Sequence, residues 1–342
     1  MIDVPGQLWP VLEAIRTAPS AHNTQPWQLR LTSAGPIEIG PDPDRWLSVA
    51  DPHGEHLGYS LGCAVEAAHS VARVEYEPRA HEDPLAGAVC SGVLRWRGPV
   101  EECRSRLEVL RQRRTHRGPF ARTPPDVPLL RTLESLVQEG PVELQLLTER
   151  SRIRRMARLT SQGAAACLRD PDYLRELLDW MRVSKEERIG AEDGFTPETL
   201  QLDPVTAGLV GWLKRSSGAR RLAVRAGLPR AMGLQAGGLL RHSGALLLLT
   251  HTDRSFPGFV SAGRILMRLW LCLAREGWSV QPVHFPLTFE ETRREALEIF
   301  GAEASRVPVT LIRIGRARSP APASERLPLE RICTVESRKE RR

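Results

Sequence analysis

Two short runs concentrate the side chains of this sequence that are best suited to chemistry. The first is Ala18-Pro19-Ser20-Ala21-His22-Asn23-Thr24-Gln25-Pro26-Trp27. Proline stops a helix, polar side chains follow, and a second proline precedes a strand start. Ser20, Asn23 and Gln25 offer a hydroxyl and two amides. Such groups donate and accept, and suit a ligand with alternating hydroxyls and carbonyls. The plain alternative is that Ser20 and Asn23 only satisfy loose backbone ends. The second run is Gln112-Arg113-Arg114-Thr115-His116-Arg117-Gly118-Pro119-Phe120. Its three guanidiniums and one hydroxyl match phosphate oxygens, which the arginine fork holds bidentately. The alternative, a basic helix C-terminus facing the helix dipole, needs fewer cations.

The elements that position these runs follow from periodicity. Leu8, Leu12 and Ile15 predict a helix over 6–17. Trp27–Leu31 alternates as a strand, and Ile37–Ile39 can pair with it across a Gly-Pro turn. A long helix is expected over 56–76, a strand over 89–96 and a helix over 101–112. Past Pro124-Pro125 come a helix over 128–138, a strand over 142–147 and a helix over 151–169. Residues 171–242 read as helical pieces broken by Gly and Pro, a candidate mobile cover. Strand 245–250, helix 261–275, strand 278–283, helix 289–300 and strand 308–314 complete the pattern. This irregular alternation gives an α+β or mixed α/β class. A faint echo is present: Asp51 and Asp253 each precede a helix with glycine, Gly62 and Gly263, after a mostly apolar segment. It suggests one chain of two related halves, 1–122 and 123–333, with a charged tail at 334–342.

Composition bounds the function. The 342 residues are 41% apolar and 26% charged, enough for a real core. No stretch approaches about 18 uncharged apolar residues, which argues against a spanning helix. No basic, cleavable leader is visible. A cytoplasmic protein without membrane partners is the expectation. Six scattered cysteines lack any Cys-x-x-Cys, against a disulfide framework and a zinc cage. His53 and His56 lie in a loop, and Glu66 with His69 has no third ligand, so no metal is expected and the last two read as surface. The net charge is +7, with three lysines among 48 basic residues. From Pro204 to Thr252 there is no acid and there are seven bases. That stretch could bind an anionic partner or be a solvated face. No nucleic-acid signature accompanies it.

Ser20-x-x-Asn23-x-Gln25-Pro26-Trp27 resembles the flavin-contacting signature of the nitroreductase superfamily. Arg113-Arg114-Thr115-x-Arg117 resembles its Arg-rich turn. In ordinary members the Arg-rich turn comes first. Here it comes almost ninety residues later, an order that, with Asp51-x-x-Gly54, resembles the Acg-like branch. There one chain mimics the usual dimer. The resemblance spans about residues 8–333. It implies a nitroreductase-like pseudo-dimer, FMN as cofactor, a small-molecule substrate and NAD(P)H as a candidate donor. It also implies a monomer or weak homodimer. By resemblance Ser20, Asn23, Gln25 and Pro26 contact the flavin, and Arg113, Arg114, Thr115 and Arg117 hold its phosphate and ribityl chain. The run 274–283 resembles the family strand that ends facing the ring, which would bring Pro282, Val283 and His284 to it. Arg316 and Arg326 would complete the phosphate site. Trp278 stands where a smaller aliphatic is common, and His284-Phe285 replaces an acid-glycine pair. The implied activity is flavin-mediated hydride or electron transfer without a catalytic side chain. The alternative is a protein that binds and sequesters FMN without nicotinamide-driven turnover. His22 and His116 could protonate a substrate or only fill turns. Tyr173, Trp180 and Trp212 could form a lid or pack in a core.

Overall fold

The computed structural model describes residues 6, 8–32, 35–79, 91–97, 100–137 and 141–336. The expected strand over 89–96 begins outside them, as do residues of the tail beyond 336. The chain divides into two compact units that do not follow its linear halves. The first comprises Met1–Arg113, Asp253–Leu271 and Glu325–Arg342; the second comprises Arg114–Thr252 and Cys272–Ser324.

The first unit is built on helix α1 (Trp9–Thr17), helix α2 (Glu55–Val71), helix α3 (Val100–Gln112) and one sheet. Its strands are β1 (Trp27–Leu31), β2 (Ile37–Pro41), β3 (Arg73–Pro78) and β4 (Gly92–Arg97). The sheet order is β3-β4-β2-β1, and the three pairings are antiparallel. The expected helix over 56–76 is corrected. It ends at Val71, Ala72 turns extended, and Arg73–Pro78 pairs with β4. Val74 is buried there, and β-branched and aromatic residues fit the half-buried strand better than a helix.

The second unit carries helix α4 (Val127–Ser135), strand β5 (Val142–Leu147) and helix α5 (Arg150–Cys167). The helical pieces follow: α6 (Pro171–Asp179), α7 (Lys185–Ile189), α8 (Pro197–Leu200), α9 (Pro204–Arg215), α10 (Ser217–Arg225) and α11 (Leu228–Arg241). Each of α6 to α10 starts at a Ser, Thr or Asp whose side chain accepts a backbone N–H, which is why the breaks fall there. Strand β6 (Ala245–His251) is fully buried. Helix α12 (Phe256–Arg275) follows and belongs to the first unit as far as Leu271. Strand β7 (Ser279–Val283), helix α13 (Glu290–Phe300) and strand β8 (Val307–Gly315) complete an antiparallel sheet of order β5-β6-β8-β7. Its core joins Leu246, Leu248 and Leu311 to Ile153, Met156 and Leu297 of α5 and α13.

The chain then returns to the first unit. Helix α14 (Leu329–Ile332) leads into β9 (Cys333–Val335), which lies parallel on β1 with Leu29 opposite Cys333. Neither element is legible in the Pro- and Arg-rich end of the sequence.

Within the first unit the two echoed helices touch through their glycines. A Cβ on Gly62 would lie 2.1 Å from the Val260 carbonyl oxygen, and one on Gly263 would lie 2.2 Å from that of Tyr59. Only hydrogen fits at this crossing. Asp51 caps α2 by accepting the Leu57 N–H at 2.9 Å, and Asp253 accepts the Ser255 N–H at 2.9 Å. The preceding segments differ, however: residues 46–50 are irregular chain ending in a turn at 48–50, whereas 245–251 is a strand. Beside the crossing, Glu66 is 3% exposed and receives Arg264 at 3.0 Å and Arg268 at 2.6 Å. The surface reading of Glu66 is therefore corrected: it is a buried ion-pair acceptor joining α2 to α12. His69 is exposed.

The expectation that nothing is long and apolar enough to span a membrane is also corrected. Helix α12 is long and apolar enough to cross a membrane by length and composition alone, although most of it is buried. Its arginines interrupt the apolar run without lowering the average hydropathy enough. Its burial is that of a core helix.

Candidate functional site

Helix α1 ends at Thr17 because Ala18, extended at ψ 150°, precedes Pro19. The chain then enters an uncommon turn. His22, Asn23 and Gln25 have φ of 47°, 57° and 52°. Left-handed non-glycine residues each cost about 1–3 kcal/mol and persist only where surroundings enforce them.

Those surroundings are specific. The Ser20 hydroxyl accepts from the Gln25 N–H at 2.8 Å. The Gln25 Oε1 accepts from the Leu327 N–H at 2.9 Å. Asn23 Nδ2 donates to the Glu325 carbonyl at 3.1 Å, and its Oδ1 accepts from Arg326 Nη1 at 2.7 Å. The segment 325–327 thus pins the turn from 302 or more residues away. Asn23 and Gln25 are buried, at 7% and 0% exposure.

Two guanidiniums meet at the C-terminus of α1. Arg326 Nη2 donates to the Thr17 carbonyl at 3.2 Å, and Arg113 Nη2 donates to the same oxygen at 3.4 Å. Arg113 is buried, with its guanidinium 4.6 Å from the Trp270 ring centroid. The negative end of the α1 dipole favours cations there, but it is only a fraction of a charge. The two guanidiniums add positive charge beside the turn of Ser20, Asn23 and Gln25. Ser20, Asn23, Gln25, Arg113 and Arg326 are therefore brought together. Pro26 adjoins them, its carbonyl accepting the Asp42 N–H at 3.1 Å.

The remaining expected residues lie in the second unit. Thr115, next to Arg114 in the chain, forms a parallel bridge with Val280 of β7, and the His116 N–H donates to the Val280 carbonyl at 3.1 Å. Pro282 and Val283 end that strand, opposite Ile312 and Leu311. Val283 packs in the core, and the His284 carbonyl accepts the Leu287 N–H at 2.7 Å. Arg117 Nη1 donates to the Thr199 carbonyl at 2.9 Å, its guanidinium 4.9 Å from the Phe195 ring. Burial lowers its pKa to about 10. Arg316 Nη1 donates to the Glu276 carbonyl at 2.6 Å and lies 4.8 Å from the Trp278 ring. Arg117 and Arg316 thus tie segments of their own unit.

His116 Nδ1 accepts from the Gly118 N–H at 3.1 Å, and Nε2 faces the Ser319 carbonyl at 3.1 Å. This pattern assigns a neutral imidazole with the proton on Nε2, and burial lowers its pKa.

Arg313 was missed by the sequence reading. It is fully buried on β8. It donates to Gln281 Oε1 at 2.5 Å, the Leu239 carbonyl at 3.1 Å, the Gly118 carbonyl at 2.6 Å and the His116 carbonyl at 3.4 Å. Its guanidinium lies 4.1 Å from the Phe120 ring. Burial lowers its pKa to about 9. It fixes the carbonyls on either side of Arg117 to β7 and α11. The available signal was a lone charge inside the apolar run Val307–Gly315.

No protein-family profile matches the chain. Curated relatives match it nearly end to end. The Serratia protein PigM, provisionally named an NAD(P)H nitroreductase, is 27% identical over 94% of this chain and 91% of its own. A Mycobacterium tuberculosis protein with the provisional name NAD(P)H nitroreductase Rv3131 is 26% identical over 95% and 92%. A Bacteroides fragilis nitroreductase structure with bound FMN overlaps 65% of this chain and 93% of its own, at 10% identity and a TM-score of 0.37, too partial to establish a shared fold. By sequence, over nearly all of its length, this chain is a relative of proteins named NAD(P)H nitroreductases.

Proposed function

We propose that the protein is an FMN-dependent oxidoreductase of the nitroreductase type. It would take reducing equivalents from NAD(P)H and pass them to a small organic substrate. The end-to-end sequence relation supports this reading. The observation that carries it is the convergence of Asn23, Arg326 and Arg113 on the end of α1.

The donor set fits the group. FMN carries a phosphate of nearly two negative charges, a ribityl chain of hydroxyls and a ring edge of alternating donors and acceptors. Arg113 and Arg326 would hold the phosphate through charge-assisted bonds. By resemblance Ser20, Asn23 and Gln25 border the flavin; their side chains bond the turn itself and residues 325–327, so their part is to shape the wall beside ribityl and ring edge. Bound there, FMN would supply the two-electron redox chemistry, while the protein binds, orients and tunes it. The chain's own work is positional, so no side chain is assigned as acid or base. By resemblance, Arg114, Thr115, Arg117, Pro282, Val283, His284 and Arg316 belong to the same function. The Acg-like arrangement, with two related halves in one chain, is supported by the inverted order of the runs and by the Gly62–Gly263 crossing.

The test is the spectrum of freshly purified protein before and after NADPH under anaerobic conditions. A yellow protein that bleaches supports the proposal. A colourless protein that takes up no FMN refutes it. The sequestering alternative leaned on Trp278 and on the helical pieces of 171–242. Trp278 is buried within its own unit beside Gly244 and Arg316, which makes it a packing residue. A yellow protein that NADPH fails to bleach would restore that alternative.

A further inference from the structure

We propose that the outward face of α9 and α10 is a docking surface for an anionic lipid bilayer. The outward row of α9 is Pro204, Val205, Gly208, Leu209, Trp212 and Arg215, all exposed. A soluble helix normally turns charged and polar residues outward. Here the inward face is apolar as well, since Val210 and Leu213 pack with Leu168, Leu174 and Leu178. The outward apolar side chains are large. Val205 is 83% exposed, Leu209 42% and Trp212 45%, at helical spacings of four and three. Of the three aromatics considered for a lid, Trp212 is the one that projects to solvent.

Helix α10 follows α9 directly across Ser216 and adds exposed charge. Its exposed residues include Arg221, Leu222 at 61% exposure and Arg225. Arg215 ends α9, three residues past Trp212 on the same exposed row. These residues belong to the acid-free stretch from Pro204 to Thr252. Asp203, at the edge, caps α9 by accepting the Val205 and Thr206 N–H groups at 3.0 Å each.

Tryptophan and leucine beside arginine is the composition of a surface that inserts at a membrane interface and pairs with anionic headgroups. The pattern disfavours the other occupants. A second copy bound symmetrically would set two acid-free basic faces against each other. A nucleic acid would pair the arginines and leave Val205, Leu209 and Trp212 without an apolar counterpart.

The test is flotation of the full chain with vesicles of phosphatidylglycerol and, separately, of phosphatidylcholine alone. Binding to the first and not the second is expected. Leu209→Ser/Trp212→Ser should weaken it about ten- to a hundredfold. Arg221→Glu/Arg225→Glu should do so at least about tenfold and abolish its salt sensitivity. The arginine pair should leave the thermal midpoint nearly unchanged, whereas the Leu209/Trp212 pair, each more than half buried, should lower it without loss of folding. Leu222→Ser, a single exposed change, repeats the test independently of either double variant and should reduce flotation. Several results overturn the proposal: no flotation with phosphatidylglycerol, equal flotation with phosphatidylcholine, or variants that float like the parent. A dimer or a DNA complex that the same variants abolish, without vesicle binding, also overturns it.

Discussion

Arg326→Ala is the sharpest test of the candidate site. It removes the bonds to Asn23 Oδ1 at 2.7 Å, the Thr17 carbonyl at 3.2 Å and the Glu325 carbonyl at 2.9 Å, and one of the two guanidiniums on that Thr17 oxygen. A charge-assisted hydrogen bond to a bound phosphate is worth about 1.5–3 kcal/mol, so the Kd for FMN should rise about ten- to a hundredfold. Arg326→Lys keeps the charge and loses the fork, and should fall between. Riboflavin separates two causes, because it lacks the phosphate. If Arg326 acts on the phosphate, FMN affinity drops while riboflavin affinity barely moves. If it only props the turn, both fall together. Flavin titration by fluorescence quenching, with a thermal melt of each variant, reads out both. Asn23→Ala should weaken both ligands, and the double variant should lose less than the sum, because the two side chains share a bond. Unchanged FMN content in Arg326→Ala, or equal loss of FMN and riboflavin, would refute the phosphate assignment.

Other outcomes follow from packing and burial. Glu66→Ala leaves Arg264 and Arg268, one turn apart on α12, without their shared carboxylate; since both guanidiniums keep solvent contact, the cost in urea unfolding should be about 1–3 kcal/mol, with Glu66→Gln milder. Gly62→Ala drives a methyl into the Val260 carbonyl and should cost about 3 kcal/mol or prevent folding. Cys63 is buried, and burial raises its thiol pKa to about 12. An unfolded thiol ionises near 8.5, so the folded state binds the proton more tightly. Stability is intact below that value and falls as pH rises from there toward 12, by up to about 1.4 kcal/mol per pH unit. Cys63→Ala should show a shallower loss than the parent when unfolding is compared at about pH 8 and about pH 10, the remainder coming from Cys167, Cys272 and Cys333, whose thiols burial also raises.

What the sequence showed depended on the range of the interaction. Strands β1, β5, β6 and β8 were legible because alternation or a short apolar run between breakers is a local signal. The start of β3 was hidden because Val71 to Tyr76 satisfies either period, and β4 decides by pairing with it. Glu66 looked like surface because its arginines lie 198 and 202 residues away. Ser20, Asn23 and Gln25 could be singled out from residue type. Their left-handed backbone could not, since it is imposed from residues 325–327. Arg113 and Arg117 read as one cluster, yet Arg113 bonds the end of α1 while Arg117 bonds Thr199. Four positions of helix-to-loop transition separate neighbouring arginines into different surroundings, which type and spacing cannot show.

The strained turn and the returning C-terminal arm explain each other. Three left-handed residues in four positions would relax if left alone, at a total cost of order several kcal/mol. Asn23 and Gln25 are held by bonds to Glu325, Arg326 and Leu327, and β9 anchors that arm to β1 in parallel register. The same bonds that offset the strain fix the Asn23 amide and the Arg326 guanidinium before any ligand arrives. An anion bound beside Arg326 would meet a guanidinium whose ordering entropy is already spent. Cutting the chain before Glu325 would release the turn, scatter these groups and lose the site, although every side chain of the first run would remain.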